Sequence, residues 1–199
     1  MKTDDSSLKI LKILLKNLTI KPTITSLSKE IGMSRVGMWK VLKKLEAEKI
    51  ILLNPIGYGK TSIYSISLNW ENPLTDKTLA LALTEEALRN KRWMHNFLEL
   101  EDKLDFLIIH GSILHSPKEA EDIDIIGITS KNKFVEIEES VKKIQKTQVK
   151  KIHIINFTEH EFKQELTKPN KAFIDAVNKG LILFGQEEFI RFMKNLSRR

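Results

Sequence analysis

The sequence predicts an α+β protein in two parts. Three short helices and a β-hairpin come first, and a connecting helix leads to a small α/β unit built on a mixed sheet. Three observations carry this expectation. Leucines recur at helical spacing from Leu8 to Leu18, whereas Ser62–Leu68 alternates with the two-residue period of a strand. Two further strand-like runs, Leu104–Ile109 and Glu121–Ile128, follow a long helical stretch. The charge, finally, is unevenly spread. Residues 1–70 hold 12 Lys and Arg against 5 Asp and Glu, and residues 71–199 hold 21 of each, so the whole net charge of +7 falls in the first part. A segment so charged suits a polyanion such as nucleic acid.

At 199 residues the chain can form two small cores. The pattern divides it into residues 1–70, a connecting helix over 71–100, and residues 101–199. No apolar run approaches the roughly 20 residues that span a bilayer, so no membrane partner is expected. The first thirty residues do not read as a secretory signal, because Met1–Ser7 is polar and lysines interrupt Leu8–Leu18. There is no cysteine, which excludes thiolate metal sites and fits a reducing cytoplasm.

In the first part, Leu8, Leu11, Leu14, Leu15 and Leu18 form one helix face, and Lys21-Pro22 ends the helix. A second helix runs from Ile24 to Ile31, and Gly32-Met33 makes the turn. Ser34 caps a third, from Arg35 to about Glu48. Two helices joined by a short Gly-containing turn are the helix-turn-helix pattern. Met38, Leu42 and Leu45 make the core stripe of the third helix, while Arg35, Trp39, Lys40 and Lys43 lie on another face. The start of such a helix enters the major groove of double-stranded DNA, with Arg35 and Val36 in the first turn. Arginine there grips guanine, and lysines further along reach phosphates. Trp39 serves equally as a packing residue against the first helix. Ile50–Leu53 and Ser62–Leu68 are the strands of a hairpin. The turn-rich Asn54–Lys60 between them carries Tyr58 and Lys60 at a tip that reaches DNA backbone or minor groove. Ser34–Lys40 resembles the recognition helix of biotin-repressor-like winged helices.

After Asn69–Pro73 breaks the pattern, Thr75 caps a helix running to about Glu99, with a polar gap at Asn90. This helix is a spacer or a homodimer interface.

The second part carries the chemistry. Leu104–Ile109 ends at His110-Gly111-Ser112, and a strand follows at Glu121–Ile128. Strand side chains alternate, so Asp122 and Asp124 share one face, and Ile123 and Ile125 the other. Two carboxylates on an otherwise apolar strand repel each other unless something positive neutralises them. Magnesium does so with one or two carboxylates, leaving positions for water and substrate phosphates. Gly111 lets the backbone approach a phosphate, which the N–H and hydroxyl of Ser112 bind.

Gly111-Ser112, nine intervening residues and Asp122-Ile123-Asp124 together resemble the signature of the polymerase-β nucleotidyltransferase superfamily, the minimal nucleotidyltransferases being closest in size. The resemblance spans about residues 96–185 and includes Phe157–Phe162 and Asn178–Leu183. It implies that the Gly-Ser pair holds the phosphates of a nucleoside triphosphate and that the two aspartates hold magnesium for nucleotidyl transfer. It also implies a third acid on the third strand, and there the chain departs. The matching position in Lys151–Ile155 is His153, read either as a histidine base beside the aspartates or as the mark of a degenerate site. Of the other histidines, His95, His110, His115 and His160 show no metal-ligand spacing. His110 and His115 flank the phosphate loop as solvated residues or nucleotide contacts.

The rest of this part is a helix with the stripe Phe134, Ile137, Val141 and Ile144, a third strand at Ile152–Ile155, and a helix capped by Thr158 and Glu161. A further helix is capped by Asn170 and ended by Gly180; a strand at Leu181–Phe184 and a helix at Glu187–Asn195 complete it. Two functions follow. One is a DNA-binding regulator whose second part binds nucleotide and magnesium, with transfer activity weak or lost. The other is an active nucleotidyltransferase acting on protein, RNA or a small acceptor, recruited by its first part. The resemblance adds one partner, since some minimal nucleotidyltransferases act on a toxin with a paired helical domain.

Overall fold

The computed structural model describes residues 5–17, 22–56, 63–168 and 171–197, and the chain divides into two compact units, Met1–Ala82 and Leu83–Arg199. The first unit opens with α1 (Asp5–Lys16), α2 (Ile24–Ile31) and α3 (Arg35–Ala47). In α1 the buried face holds Leu8, Ile10, Leu11 and Leu15, so Ile10 takes a core place the leucine stripe gave to Leu14, which is only partly buried. Leu18 and Lys21 lie outside the described residues. Thr23 caps α2 reciprocally: its hydroxyl accepts from the Ser26 N–H at 3.2 Å and the Ser26 hydroxyl accepts from the Thr23 N–H at 2.9 Å. Gly32, at φ +72°, ends it in the left-handed region that glycine reaches without strain. Ser34 then caps α3 by accepting from the Gly37 N–H at 3.1 Å. Met38, Leu42 and Leu45 are fully buried, as the stripe requires.

The strands β1 (Ile51–Ile56) and β2 (Ile63–Leu68) pair antiparallel from Ile51 opposite Leu68 to Ile56 opposite Ile63. Asn54, Pro55 and Ile56, expected in the turn, therefore belong to the strand. A two-stranded ribbon has an edge on each strand, and a proline there gives up no ladder bond when its nitrogen faces outward. Tyr58, Lys60 and the rest of the tip lie outside the described residues. Three helices followed by an antiparallel hairpin form the winged-helix arrangement.

The joint differs from the expected single helix. Asn69 and Asn72 each donate to the Lys49 carbonyl, at 2.8 and 3.0 Å, and the Asn72 side chain accepts from the Leu74 N–H at 3.0 Å. α4 (Pro73–Arg89) thus begins at a proline, which suits a first turn because its missing N–H would find no helical partner. Thr75 is not the cap. It is buried, and its hydroxyl donates to the Asn69 carbonyl at 2.7 Å. The helix breaks at Asn90, whose side-chain amide donates to the Glu86 carbonyl at 2.8 Å in competition with the backbone ladder. α5 (Lys91–Phe97) and a 3-10 turn (Leu98–Lys103) follow.

The second unit is built on a four-stranded mixed sheet of order β5-β4-β3-β6, from β3 (Phe106–His110), β4 (Asp122–Ile128), β5 (Lys151–Phe157) and β6 (Leu181–Phe184). β3 runs antiparallel to β4 and β6, and β4 runs parallel to β5 across the connection through α6 (Phe134–Gln145). The pleat sorts side chains onto two faces. One face carries Leu107, Ile109, Ile123, Ile125, Ile152, Leu181 and Leu183, buried with Trp93 and Phe97 of α5 and Ile137, Val141 and Ile144 of α6. The other is covered by α7 (Glu159–Thr167), α8 (Lys171–Lys179) and α9 (Gln186–Ser197). There Phe106 meets Phe162, Phe189 and Phe192 with ring centroids 5.5–6.3 Å apart, and Phe157 meets Phe173 at 5.3 Å. Asn170, expected to cap α8, lies outside the described residues.

Thr158 and Glu161 close the expected capping box on α7. Hydrogen bonding from the Thr158 backbone N–H at 2.9 Å, then the Lys131 ammonium and the Thr158 hydroxyl, holds the Glu161 carboxyl down to about 2. Because the folded value lies below the usual 4.5, the cap contributes in full above pH 4.5 and is lost as pH falls toward about 2. The difference in melting temperature between wild type and Glu161→Gln should be constant at neutral pH and shrink through that acid window. A pH-independent difference would show that the charge plays no part in the cap.

Candidate functional site

The apolar cover of the second sheet face stops short at one end. Along β4, Ile128 and Ile126 are buried on that face, and the next two side chains in the same direction are Asp124 and Asp122, each about a third exposed. Register brings their neighbours into line. His110 of β3 stands opposite Asp124, and so does His153 of β5, while Lys151 stands opposite Asp122. The His153 Nδ1 lies 3.6 Å from Asp122 Oδ2 and 3.7 Å from Asp124 Oδ1. One ligand atom from each of Asp122, Asp124 and His153 falls within 4.8 Å of the others, the one such group among the described residues. Two carboxylates and an imidazole in this arrangement can hold a cation and leave its outward side for other ligands.

Gly111 follows directly. Its φ of +85° and ψ of −166° lie in a region open essentially to glycine, and a Cβ there would stand 2.9 Å from Asp124 Oδ2. The glycine therefore makes room for a carboxylate as well as for any approaching ligand. Ser112 is exposed at the start of a 3-10 turn, Ser112–Leu114, where leading N–H groups have no partner within the turn.

His110, expected as a solvated residue or nucleotide contact beside the phosphate loop, ends β3 opposite Asp124. It is half-buried, and burial lowers its pKa from the usual 6.5, with the charge of Asp124 opposing. Burial thus favours the neutral imidazole beside the Asp124 carboxylate. The signal was present: Phe106, Ile108 and His110 alternate onto the face that carries the aspartates. His115 is exposed in the following loop.

In the first unit, Arg35, Val36 and Lys40 are exposed on α3, Val36 to 68%. Ser34 is occupied as the cap. Lys43 is less available than the sequence suggests, since its ammonium pairs with Glu46 at 2.5 Å and lies 5.3 Å from the centre of the Trp39 ring. Trp39 makes a ring contact with Tyr64 of β2, with centroids 5.4 Å apart. These two aromatics join the third helix to the hairpin.

No protein-family model matches the chain, and no curated protein does. Among solved structures it is similar to the zinc-responsive MarR family member ZitR of Lactococcus lactis, at 18% identity and a TM-score of 0.34 over 74% of this chain and 77% of that one. A mutant of the same protein aligns at 14% identity and 0.33, over 74% and 76%. Similarity of this size leaves both fold and chemistry to be read from the chain itself. No described helix is long and apolar enough to cross a membrane.

Gly111→Ala should cost about 1–3 kcal/mol from backbone strain and also push the Asp124 carboxylate out of place. Denaturant unfolding of the full chain measures the first effect. A variant as stable as wild type would show that the carboxylate and turn move aside without penalty.

Proposed function

We propose that the protein is a DNA-binding regulator whose second unit is a nucleotidyltransferase-like domain that binds a nucleoside triphosphate together with a divalent cation. The observation that carries the reading is the convergence of Asp122, Asp124 and His153 at the open end of a sheet, one residue row from the Gly111-Ser112 turn. A triphosphate bound by the exposed N–H and hydroxyl of Ser112 would meet the cation held by the aspartates. The cation supplies charge neutralisation and Lewis acidity when bound. The chain's residues orient it and keep the phosphates in reach. The DNA-binding half of the reading is supported by the winged-helix arrangement, by the charge confined to residues 1–70, and by the exposed Arg35, Val36 and Lys40 on α3. A homodimer and a toxin-like helical partner rest on the sequence reading alone.

Titration of the full chain against duplex DNA at several salt concentrations tests the first half. Arg35→Ala should weaken specific binding by about 1–3 kcal/mol, and Lys40→Ala should flatten the salt slope by roughly one unit at every sequence. Lys43→Ala should have the smaller effect, because Glu46 already shares its charge. No binding at low salt would end the regulator reading.

Calorimetry with ATP tests the second half. Binding should need a divalent cation and disappear in the Asp122→Asn, Asp124→Asn double variant, which keeps its fold because carboxylate repulsion is relieved. Equal affinity with and without chelator would mean that the motif holds no cation. Transfer from labelled nucleoside triphosphates to a component of the cell extract would favour the active-enzyme reading.

A further inference from the structure

The donor set does not fit magnesium well. Magnesium takes oxygen ligands in a near-ideal octahedron and keeps several waters, whereas imidazole suits first-row transition ions. The imidazole here does not stand aside from the aspartates. Its Nδ1 is 3.6 Å from one carboxylate oxygen and 3.7 Å from the other, beyond ordinary hydrogen-bond length. Two ligands on a tetrahedral centre, with bonds of about 2.1 Å, stand about 3.4 Å apart. The observed separations are within reach of that value by small side-chain rotation. All three side chains are partly exposed, with His153 at 45%, so a cation can enter and further ligands can complete its shell.

From this geometry we propose that Asp122, Asp124 and His153 form a three-ligand site that selects a first-row transition dication of the zinc or manganese class over magnesium, with His153 as the discriminating ligand. This deepens the cation-binding part of the proposed function and rests on it. The selectivity follows from the nitrogen donor. Replacing a carboxylate by a neutral imidazole lowers the site's negative charge, which weakens a hard ion held mainly by charge. It also supplies a ligand that zinc and its neighbours bind strongly. The strand register fixes the choice, since β5 runs parallel to β4 with His153 directly beside Asp124. Rotating the imidazole away would leave the two carboxylates as an ordinary hard-ion pair.

The test measures cation binding without nucleotide, so that it stands apart from the triphosphate question. The full chain is titrated with Mn²⁺, and free Mn²⁺ is followed by electron paramagnetic resonance. Zn²⁺ and Mg²⁺ are then added as competitors. One equivalent of Mn²⁺ should bind, Zn²⁺ should displace it stoichiometrically, and a hundredfold excess of Mg²⁺ should not. His153→Ala should lower Zn²⁺ affinity by at least 10–100-fold, the loss that even an outer partner of a ligand causes, and leave Mg²⁺ affinity nearly unchanged. His153→Asp should shift the preference toward Mg²⁺. The zinc-to-magnesium ratio is the reading a structural role would not move. If His153→Ala unfolds, His153→Gln and the imidazole nitrogen resonances of the wild type, which shift on ligation, give the same answer. An unchanged ratio in the His153 variants, displacement of Mn²⁺ by Mg²⁺, or an intact fold that binds no cation would each overturn the proposal. Zinc binding without any nucleotide binding would keep this inference and remove the nucleotide reading.

Discussion

Asp122 and Asp124 stand two residues apart on a strand whose other side chains are buried hydrocarbon, and the second unit is arranged around bearing that charge. The strand must bury Ile123 and Ile125 on one face and Ile126 and Ile128 at its far end, which leaves one corner for the carboxylates. The phenylalanines of α7, α8 and α9 cover the same face up to that corner and no further. At the corner itself, the strands on either side contribute imidazoles rather than aliphatic groups. The glycine before Ser112 leaves the volume that one carboxylate fills. Each of these features would be a defect in an ordinary sheet, and together they make one polar site at the edge of a dry core.

The first unit depends on a different device. Its helices are short, and short helices are marginal by themselves, so their ends are fixed by caps: the side chains of Thr23 with Ser26 and of Ser34, and the left-handed backbone of Gly32. The exit from α3 is secured by Asn69 and Asn72, which reach back across the hairpin to the Lys49 carbonyl. Lys49 itself sits at φ +57°, an unusual place for a residue with a side chain, and the two amides hold that turn. Trp39 and Tyr64 then connect the exposed helix to the strand behind it. A surface that meets a rigid partner gains from such fixing, because less freedom remains to be lost on binding.

Local signals were legible wherever a side chain answers its own backbone or a period repeats. α2 runs from Ile24 to Ile31 with Gly32 at its end as the pattern indicates, and the Thr158–Glu161 box forms as its spacing requires. The alternation across Asp122–Ile125 likewise sorts into an open and a buried face. What escaped were partners distant in sequence. Thr75 looked like a helix cap because threonines cap helices, but the carbonyls of Asn69 and Ile50 claim its hydroxyl. Asn54 to Ile56 read as part of the turn-rich Asn54–Lys60 segment, whereas strand pairing with Ile63 to Ser65 overrides that preference. His110 read as a solvated residue or nucleotide contact flanking the phosphate loop. Alternation along β3 gives its face, and the pairing of β3 with β4 puts it beside Asp124.

The connection between β3 and β4 separates two kinds of change. Its tip, Pro117 to Glu119, is exposed, and the strands on either side are locked by their ladder. Extra residues at the tip would lengthen a surface excursion at small entropic expense and leave the polar corner untouched. One residue inserted within β4 between Ile125 and Ile128 would turn both aspartates into hydrocarbon and bring isoleucines to the surface. Length can therefore drift along this stretch of chain in one place and not in the other. The boundary between the two falls at the first residue of the strand.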